Sequence, residues 1–200
     1  MAGMIGVFGG TFDPPHVGHI ILAEEARIFL GLEKVLWVPT GAPPHKLDRQ
    51  ISPIEDRLDL VRSAIRGYPE FSLSRADVDR PGPHYSVDTM KWLRERNPGD
   101  SFVFLMGSDS LVNLTEWKSP GELLALCDVL GVWHRPDVDL DLPALEGRLP
   151  GVTEKTRFID TAFIRISARE IRRRVREGIP YRHLVPASVN RLIHEKGLFT

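Results

Sequence analysis

Two hundred residues are enough to bury a core and still shape a cleft, with no need of disulfides or a structural metal. The composition is 42% hydrophobic and 26% charged, and 26 basic side chains against 27 acidic ones give a formal net charge of -1, which excludes a general affinity for nucleic acid or anionic membrane. The single Cys127 excludes an intramolecular disulfide and a cysteine-built zinc cage, and no apolar run reaches the length of a membrane span.

Taken in chain order, the first residues carry no basic leader, and glycines and Asp13 interrupt their apolar run, so no signal peptide is read there and the expected compartment is the cytoplasm. Residues Ile5 to Phe8 are short, apolar and closed by glycines, which predicts a buried strand. From Val17 the pattern turns helical, with Ile20, Ala23, Ala26 and Leu30 on one side, and Gly31 stops it. A strand follows from Lys34 to Val38, then a polar, proline-rich loop, then a helix from Ser52 to Arg66 with a capping box between Ser52 and Glu55. Strands are expected at Phe71 to Ser74, Ser101 to Met106, Asp128 to Trp133 and Arg157 to Asp160. Helices are expected from Ser86 to Arg96, just after Gly107, after a second capping box at Ser119 and Glu122, and from near Ser167 and Ala187. Residues 136–151, rich in acids and prolines, read as an exposed insertion.

Strands alternating with helices predict an α/β chain: a doubly wound, Rossmann-like parallel sheet with helices on both faces and a small helical part at the end. One domain over 1–200 is expected, with 1–166 as its core and 167–200 as its terminal helices. Open sheets of this kind bind ligands beyond the carboxyl ends of their strands, so the loops at 9–19, 39–49, 75–86, 107–117 and 161–168 should share one rim.

The first of those loops reads GGTFDPPHVGH. Gly9 and Gly10 let the chain turn and let a ligand approach the backbone. The helix behind them offers free N–H groups and the positive end of its dipole, which suits an anion. His16 precedes that helix and His19 lies in its first turn, so both can face the same oxygens. The stretch is neither a Walker loop nor G-x-G-x-x-G. Two histidines three apart also fit a metal pair, although the remaining histidines are scattered and bring no third ligand. Near the other end, Ser167 and Glu170 form a third capping box, on a helix loaded with arginines. Arg169 and Arg172 in its first turns are placed to meet an anion, and arginine forks suit phosphate oxygens.

The opening stretch resembles the signature of the nucleotidyltransferase superfamily built around H-x-G-H, and Ile166 to Arg172, ISAREIR, resembles its second signature, I-S-x-x-x-I-R. The middle loops narrow the likeness. Pro43 to Lys46, Tyr85 to Thr89, Phe104 to Asp109, Trp117, and the ending from Val185 through Phe199 resemble the bacterial nicotinate mononucleotide adenylyltransferases, so that the likeness spans essentially the whole chain.

The resemblance implies adenylyl transfer from ATP to nicotinate mononucleotide, giving nicotinic acid adenine dinucleotide and pyrophosphate. His16 and His19 would hold ATP phosphates, with His19 the stronger catalytic candidate and Arg172 beside it. Gly9, Gly10, Thr11 and Phe12 would contact ATP, Gly107 and Asp109 its ribose, and Ser167 and Arg172 its outer phosphates, with Arg169 a further ATP contact. Trp117 would stack on the pyridine ring, the backbone at Tyr85 and Ser86 would receive the carboxylate, and Lys46 would meet a substrate phosphate. Mg²⁺ would arrive with ATP, with no dedicated metal site, no nucleic acid or membrane, and no named protein partner. From residues alone, Asp109 serves equally as a helix cap, Trp117 as cover for the core edge and Lys46 as an ordinary surface lysine. A transferase preferring nicotinamide mononucleotide and a nucleotide-binding module without turnover stand as alternatives. Two departures from the family pattern are Ser86, where threonine is common, and Ala168-Arg169, where the second motif often continues with serine and threonine.

Overall fold

The computed structural model describes residues 3–41, 51–135, 137–161 and 164–200. Its strands are β1 (Met4–Gly10), β2 (Lys34–Pro39), β3 (Phe71–Leu73), β4 (Ser101–Gly107), β5 (Val129–Trp133) and β6 (Thr156–Ile159). The helices are α1 (Val17–Leu30), α2 (Ile54–Ala64), α3 (Ser86–Arg96), α4 (Ser108–Val112), α5 (Pro120–Leu126), α6 (Leu142–Arg148), α7 (Val152–Lys155), α8 (Ala168–Arg176) and α9 (Ala187–Glu195). All neighbouring strands pair in parallel, in the order β3-β2-β1-β4-β5-β6. The chain therefore has the doubly wound α/β fold that the alternation predicts, and the order reverses between β1 and β4, where such sheets open a crevice.

Because strand side chains alternate, the central strands feed two cores. Val35 and Trp37 of β2, and Val103 and Leu105 of β4, enter the layer built with α1, α2, α8 and α9. Ile5 and Val7 of β1, and Phe102 and Phe104 of β4, enter the layer with α3 and α5. The terminal helices belong to the first core through Ile171, Val189 and Ile193. They are pinned further by Ser188 Oγ donating to Ser63 O (2.8 Å) and by Lys196 Nζ donating to Asp56 and Asp59 (2.7 Å each). No described helix is long and apolar enough to cross a membrane.

Three local expectations need correction. The 136–151 segment is not simply an exposed insertion: its described part contains α6, capped by Asp141 accepting from Ala144 N–H, and it buries Leu145 and Leu149 in the second core. The capping boxes at Ser52 and Ser119 do not form. Helix α2 starts from Pro53, while the Ser52 N–H donates to Asp13 Oδ2 at 3.3 Å. Ser119 does precede α5, but in the left-handed region with no side-chain cap, and Glu122 pairs with Lys91. Of the three boxes, only Ser167 makes its cap bond, accepting from Glu170 N–H at 3.2 Å.

Candidate active site

Beyond the carboxyl ends of β1 and β4 lies a cleft of about 670 Å³, the size of a small-molecule site. It gathers residues that are far apart in the chain. The loop after β1 contributes Gly9, Gly10, Thr11, Phe12, Asp13, His16 and His19. Tyr85 and Ser86 come from the start of α3, Gly107, Asp109 and Trp117 from the segment after β4, and Ser167, Arg169 and Arg172 from the start of α8. Each of the four loop regions brought together here was expected at the rim; the fifth, 39–49, is represented by Thr40. Lys46 lies outside the described residues.

The first loop is not bent where expected. Gly9 and Gly10 continue β1, and the left-handed residue is Phe12, with φ 49°. A non-glycine residue there is strained and must be held by its surroundings. Phe12 is held: its ring packs against Phe8 (5.4 Å), Trp37 and His19 (5.1 Å each). The glycines serve packing and approach instead. A Cβ on Gly10 would press on the Phe12 ring at 2.9–3.1 Å, whereas one on Gly9 would meet nothing within 4 Å. Packing therefore gives no reason for glycine at position 9; the space over it belongs to the cleft.

The two imidazoles stack, with centroids 3.6 Å apart and planes at 21°. Beneath His19 lie the rings of Phe8 and Phe12, and Trp37 and Trp133 complete this apolar floor. Burial holds the pKa of His16 down at about 4. It holds that of His19 well below the ordinary value, with His16 and Arg135 adding to the effect. Both rings are neutral at pH 7. Nδ1 of His19 accepts from the His16 N–H at 3.1 Å, so the proton of the neutral ring sits on Nε2. His19 is thus set as a hydrogen-bond donor without carrying charge.

Cations surround this neutral pair. Arg135, Arg169, Arg172 and Lys118 line the cleft against the carboxylates of Asp13 and Asp109, a positive patch in a protein that is nearly neutral overall. Arg172 Nη1 donates to the Asp13 carbonyl at 2.5 Å, which ties α8 to the loop after β1, 159 residues away in the chain. Asp109 pairs with Arg135 (3.1 Å), and Ser108 Oγ accepts from Arg135 N–H (2.9 Å), joining the loops after β4 and β5. Asp109 is not the cap of α4, a position that Gly107 holds. Trp117 meets Phe104 edge-on at 6.2 Å and keeps its place on the cleft wall.

Sequence reasoning missed four residues here. Arg135 and Trp133 extend from β5, a sixth rim position that the end-of-strand rule would have included. Lys118 was passed over beside Trp117. Arg57 is the least visible: it is 1% exposed and donates to the carbonyls of Thr11, Thr40, Gly41 and Ser52 at 2.8–3.1 Å. Burial lowers its pKa and nearby Asp13 offsets part of that.

This combination of sheet order, bare backbone at the end of β1, neutral histidines and a cationic rim defines a class, the α/β proteins that hold nucleotide phosphates at the first strand-to-helix loop. Residues 7–174 match the cytidylyltransferase-like family. A relative from Thermomicrobium roseum, described as a probable nicotinate-nucleotide adenylyltransferase, is 43% identical over 98% of this chain and 91% of its own. A second so described, from Rubrobacter xylanophilus, is 41% identical over the same shares. The Plasmodium falciparum nicotinic acid mononucleotide adenylyltransferase, solved with NaAD, has a TM-score of 0.77 at 17% identity, covering 98% of this chain and 97% of that one, a likeness of fold. The chain belongs to the cytidylyltransferase-like family and, within it, to the nicotinate-nucleotide adenylyltransferases.

Proposed function

We propose that this protein, as one domain over its whole length, transfers the adenylyl group of ATP to nicotinate mononucleotide, releasing nicotinic acid adenine dinucleotide and pyrophosphate in NAD biosynthesis. The observation that carries this reading is the convergence of His16, His19, Arg169 and Arg172 on one cleft that also holds Tyr85, Ser86 and Trp117. One end suits a triphosphate and the other an aromatic acid. The cytoplasm is the compartment we propose for this reaction, and reducing surroundings suit the single Cys127, which is a free thiol.

No enzyme nucleophile is required. An oxygen of the mononucleotide 5′-phosphate attacks the α-phosphorus of ATP, the α–β bridging bond breaks, and pyrophosphate departs with the electron pair. The protein's part is in-line positioning and stabilisation of the charge that develops. His19 offers Nε2–H to phosphate oxygens with no reorganisation, because the His16 N–H already fixes its tautomer. His16 stacks behind it, and the Arg169 and Arg172 guanidinium groups meet the outer phosphates. The open backbone at Gly9 lets the nucleotide approach closely.

Mg²⁺ demands an octahedron of oxygens and keeps much of its water. Among the described residues no three His, Cys, Asp or Glu side chains converge, while Asp13 presents a buried Oδ1 without a hydrogen-bond partner. That Asp13 oxygen, in the loop after β1, would be a protein donor to an ion brought in with the ATP phosphates and water. The ion would supply charge neutralisation on the phosphates.

The test is pyrophosphate release from Mg-ATP with nicotinate mononucleotide and with its amide, side by side. Release with the acid is expected. Release mainly with the amide would overturn the substrate, and release with neither would overturn the reaction.

A further inference from the structure

The wall of the cleft above α3 carries a charge with an unusual setting. Lys118 follows Trp117 and lines the cleft with Tyr85 and Ser86. Its Nζ stands 4.4 Å from the centroid of the Tyr85 ring and 3.6 Å from Asp88 Oδ2 in the first turn of α3. The aromatic face holds an ammonium without neutralising it, and the carboxylate tethers it. Tyr85 is the residue before α3, and its carbonyl takes the N–H groups of Asp88 and Thr89. The N–H groups of Ser86 and Val87 stay outside the helix's own ladder. One fixed cation therefore stands beside the positive end of a helix, on the part of the cleft where the pyridine ring is placed.

We propose that Lys118 is the residue that selects a ring carboxylate over a ring carboxamide in the acceptor mononucleotide. This rests on the reaction proposed above and on the placement of the pyridine substituent at Tyr85 and Ser86. An acid and its amide have almost the same shape, so the pocket cannot sort them by size. Backbone N–H groups sort them weakly, since both offer a carbonyl-type acceptor. An ammonium has three donors and no acceptor. It gains full Coulomb attraction only from the anion, and it leaves the carboxamide NH₂ facing a group that cannot receive its hydrogens.

Asp88 sharpens the consequence. With Lys118 present its charge is partly compensated. With Lys118 removed, the same carboxylate is left uncompensated 3.6 Å from where the ammonium stood, and its charge opposes the incoming acid. Lys118 is half exposed in the free protein, so its field is screened by salt until the substrate covers it.

Pyrophosphate release by the full chain, with saturating Mg-ATP and either mononucleotide, tests this in four proteins: wild type, Lys118→Met, Lys118→Arg and Asp88→Asn. The readout is the acid-to-amide ratio of kcat/KM, which a general loss of stability does not move. Lys118→Met is expected to lower that ratio about 10-fold, through a higher KM for the acid and an unchanged KM for the amide. Lys118→Arg keeps the wild-type preference, and Asp88→Asn keeps or raises it. Added salt lowers the wild-type ratio and leaves that of Lys118→Met flat. A Lys118→Met protein with the wild-type ratio, whatever its absolute rate, overturns the assignment and leaves the reaction standing. Wild-type protein inactive with both substrates overturns the reaction, and the assignment with it.

Discussion

His19 shows how far the setting of a single residue determines its chemistry. Its ring lies against Phe8 and Phe12 and under His16, so burial keeps it neutral, and the His16 N–H on Nδ1 leaves Nε2–H as its donor. A donor built this way costs nothing to reorganise when charge develops on phosphate. Replacing His19 with alanine should lower kcat by ~10²–10³, the loss that follows removal of one preorganised donor. A folded His19→Ala protein with near wild-type kcat would remove His19 from catalysis. The adjacent glycines separate ligand approach from packing. Gly9→Ala places its methyl in open space. The protein should keep its melting temperature while its KM for ATP rises about 10-fold, the cost of crowding a close contact. Gly10→Ala instead drives into the Phe12 ring and should lower stability by about 1–3 kcal/mol. Thermal melts alongside ATP titrations distinguish the two, and a Gly9→Ala protein that melts early but binds ATP normally would reverse the assignment.

At the scale of elements, Arg57 does what no strand or helix pairing does. From the first turn of α2 it reaches back to carbonyls of the loop after β1, of the two residues after β2 and of Ser52. Four separate points of backbone are held by one planar group, and an ammonium lacks the fork to span them. Arg57→Met should cost about 3 kcal/mol, since it strips partners from buried carbonyls. Urea denaturation measures this, and Arg57→Lys should recover only part of it. A loss below about 0.5 kcal/mol, the level of an ordinary surface change, would show that the clamp is idle. This residue also marks the limit of sequence reading. Strand and helix positions were legible because period and glycine stops are local, and α1 and α3 fall where the pattern puts them. An arginine within DRLDLVR reads as part of a solvated helix face, because nothing local says that a distant loop will close over it. The same holds for α6 and its C-cap, whose buried Leu145 and Leu149 are diluted among acids and prolines. The H-x-G-H loop was legible because its chemistry is contiguous, whereas the Arg172 bond to Asp13 joins residues 159 positions apart.

The molecule as a whole is closed around the site by its C-terminal part. Leu184 O accepts from Val17 N–H (3.0 Å) at the start of α1, Arg172 holds the loop before it, and α9 packs on α2. The complete fold therefore buries His16 and half-buries His19, and the protonation of the pair is a measure of that fold. Well above pH 6.5 both rings are neutral whether the chain is folded or unfolded, so there they give stability no pH dependence. Below 6.5 the unfolded chain takes up protons that the folded chain refuses, and stability must fall as pH falls. The contribution of His16 levels off near pH 4, where its folded ring protonates, and that of His19 continues lower. Each histidine adds a slope of ~1.4 kcal/mol per pH unit within its window. Glu170, held down at about 2 by hydrogen bonds from Arg173 and Arg174, adds its own loss of stability only as pH falls from about 4.5 towards 2, at the foot of that range. Urea denaturation at pH 7.5, 6.5, 5.5 and 4.5 should give free energies that level off above 6.5 and drop steadily below it. A protein carrying His16→Asn and His19→Asn should lose most of that slope even where its stability at pH 7.5 is lower, because the slope counts protons and not contacts. A wild-type curve flat from pH 6.5 to 4.5 would mean that both rings protonate inside the folded protein, and the neutral donor assigned to His19 would fall with it.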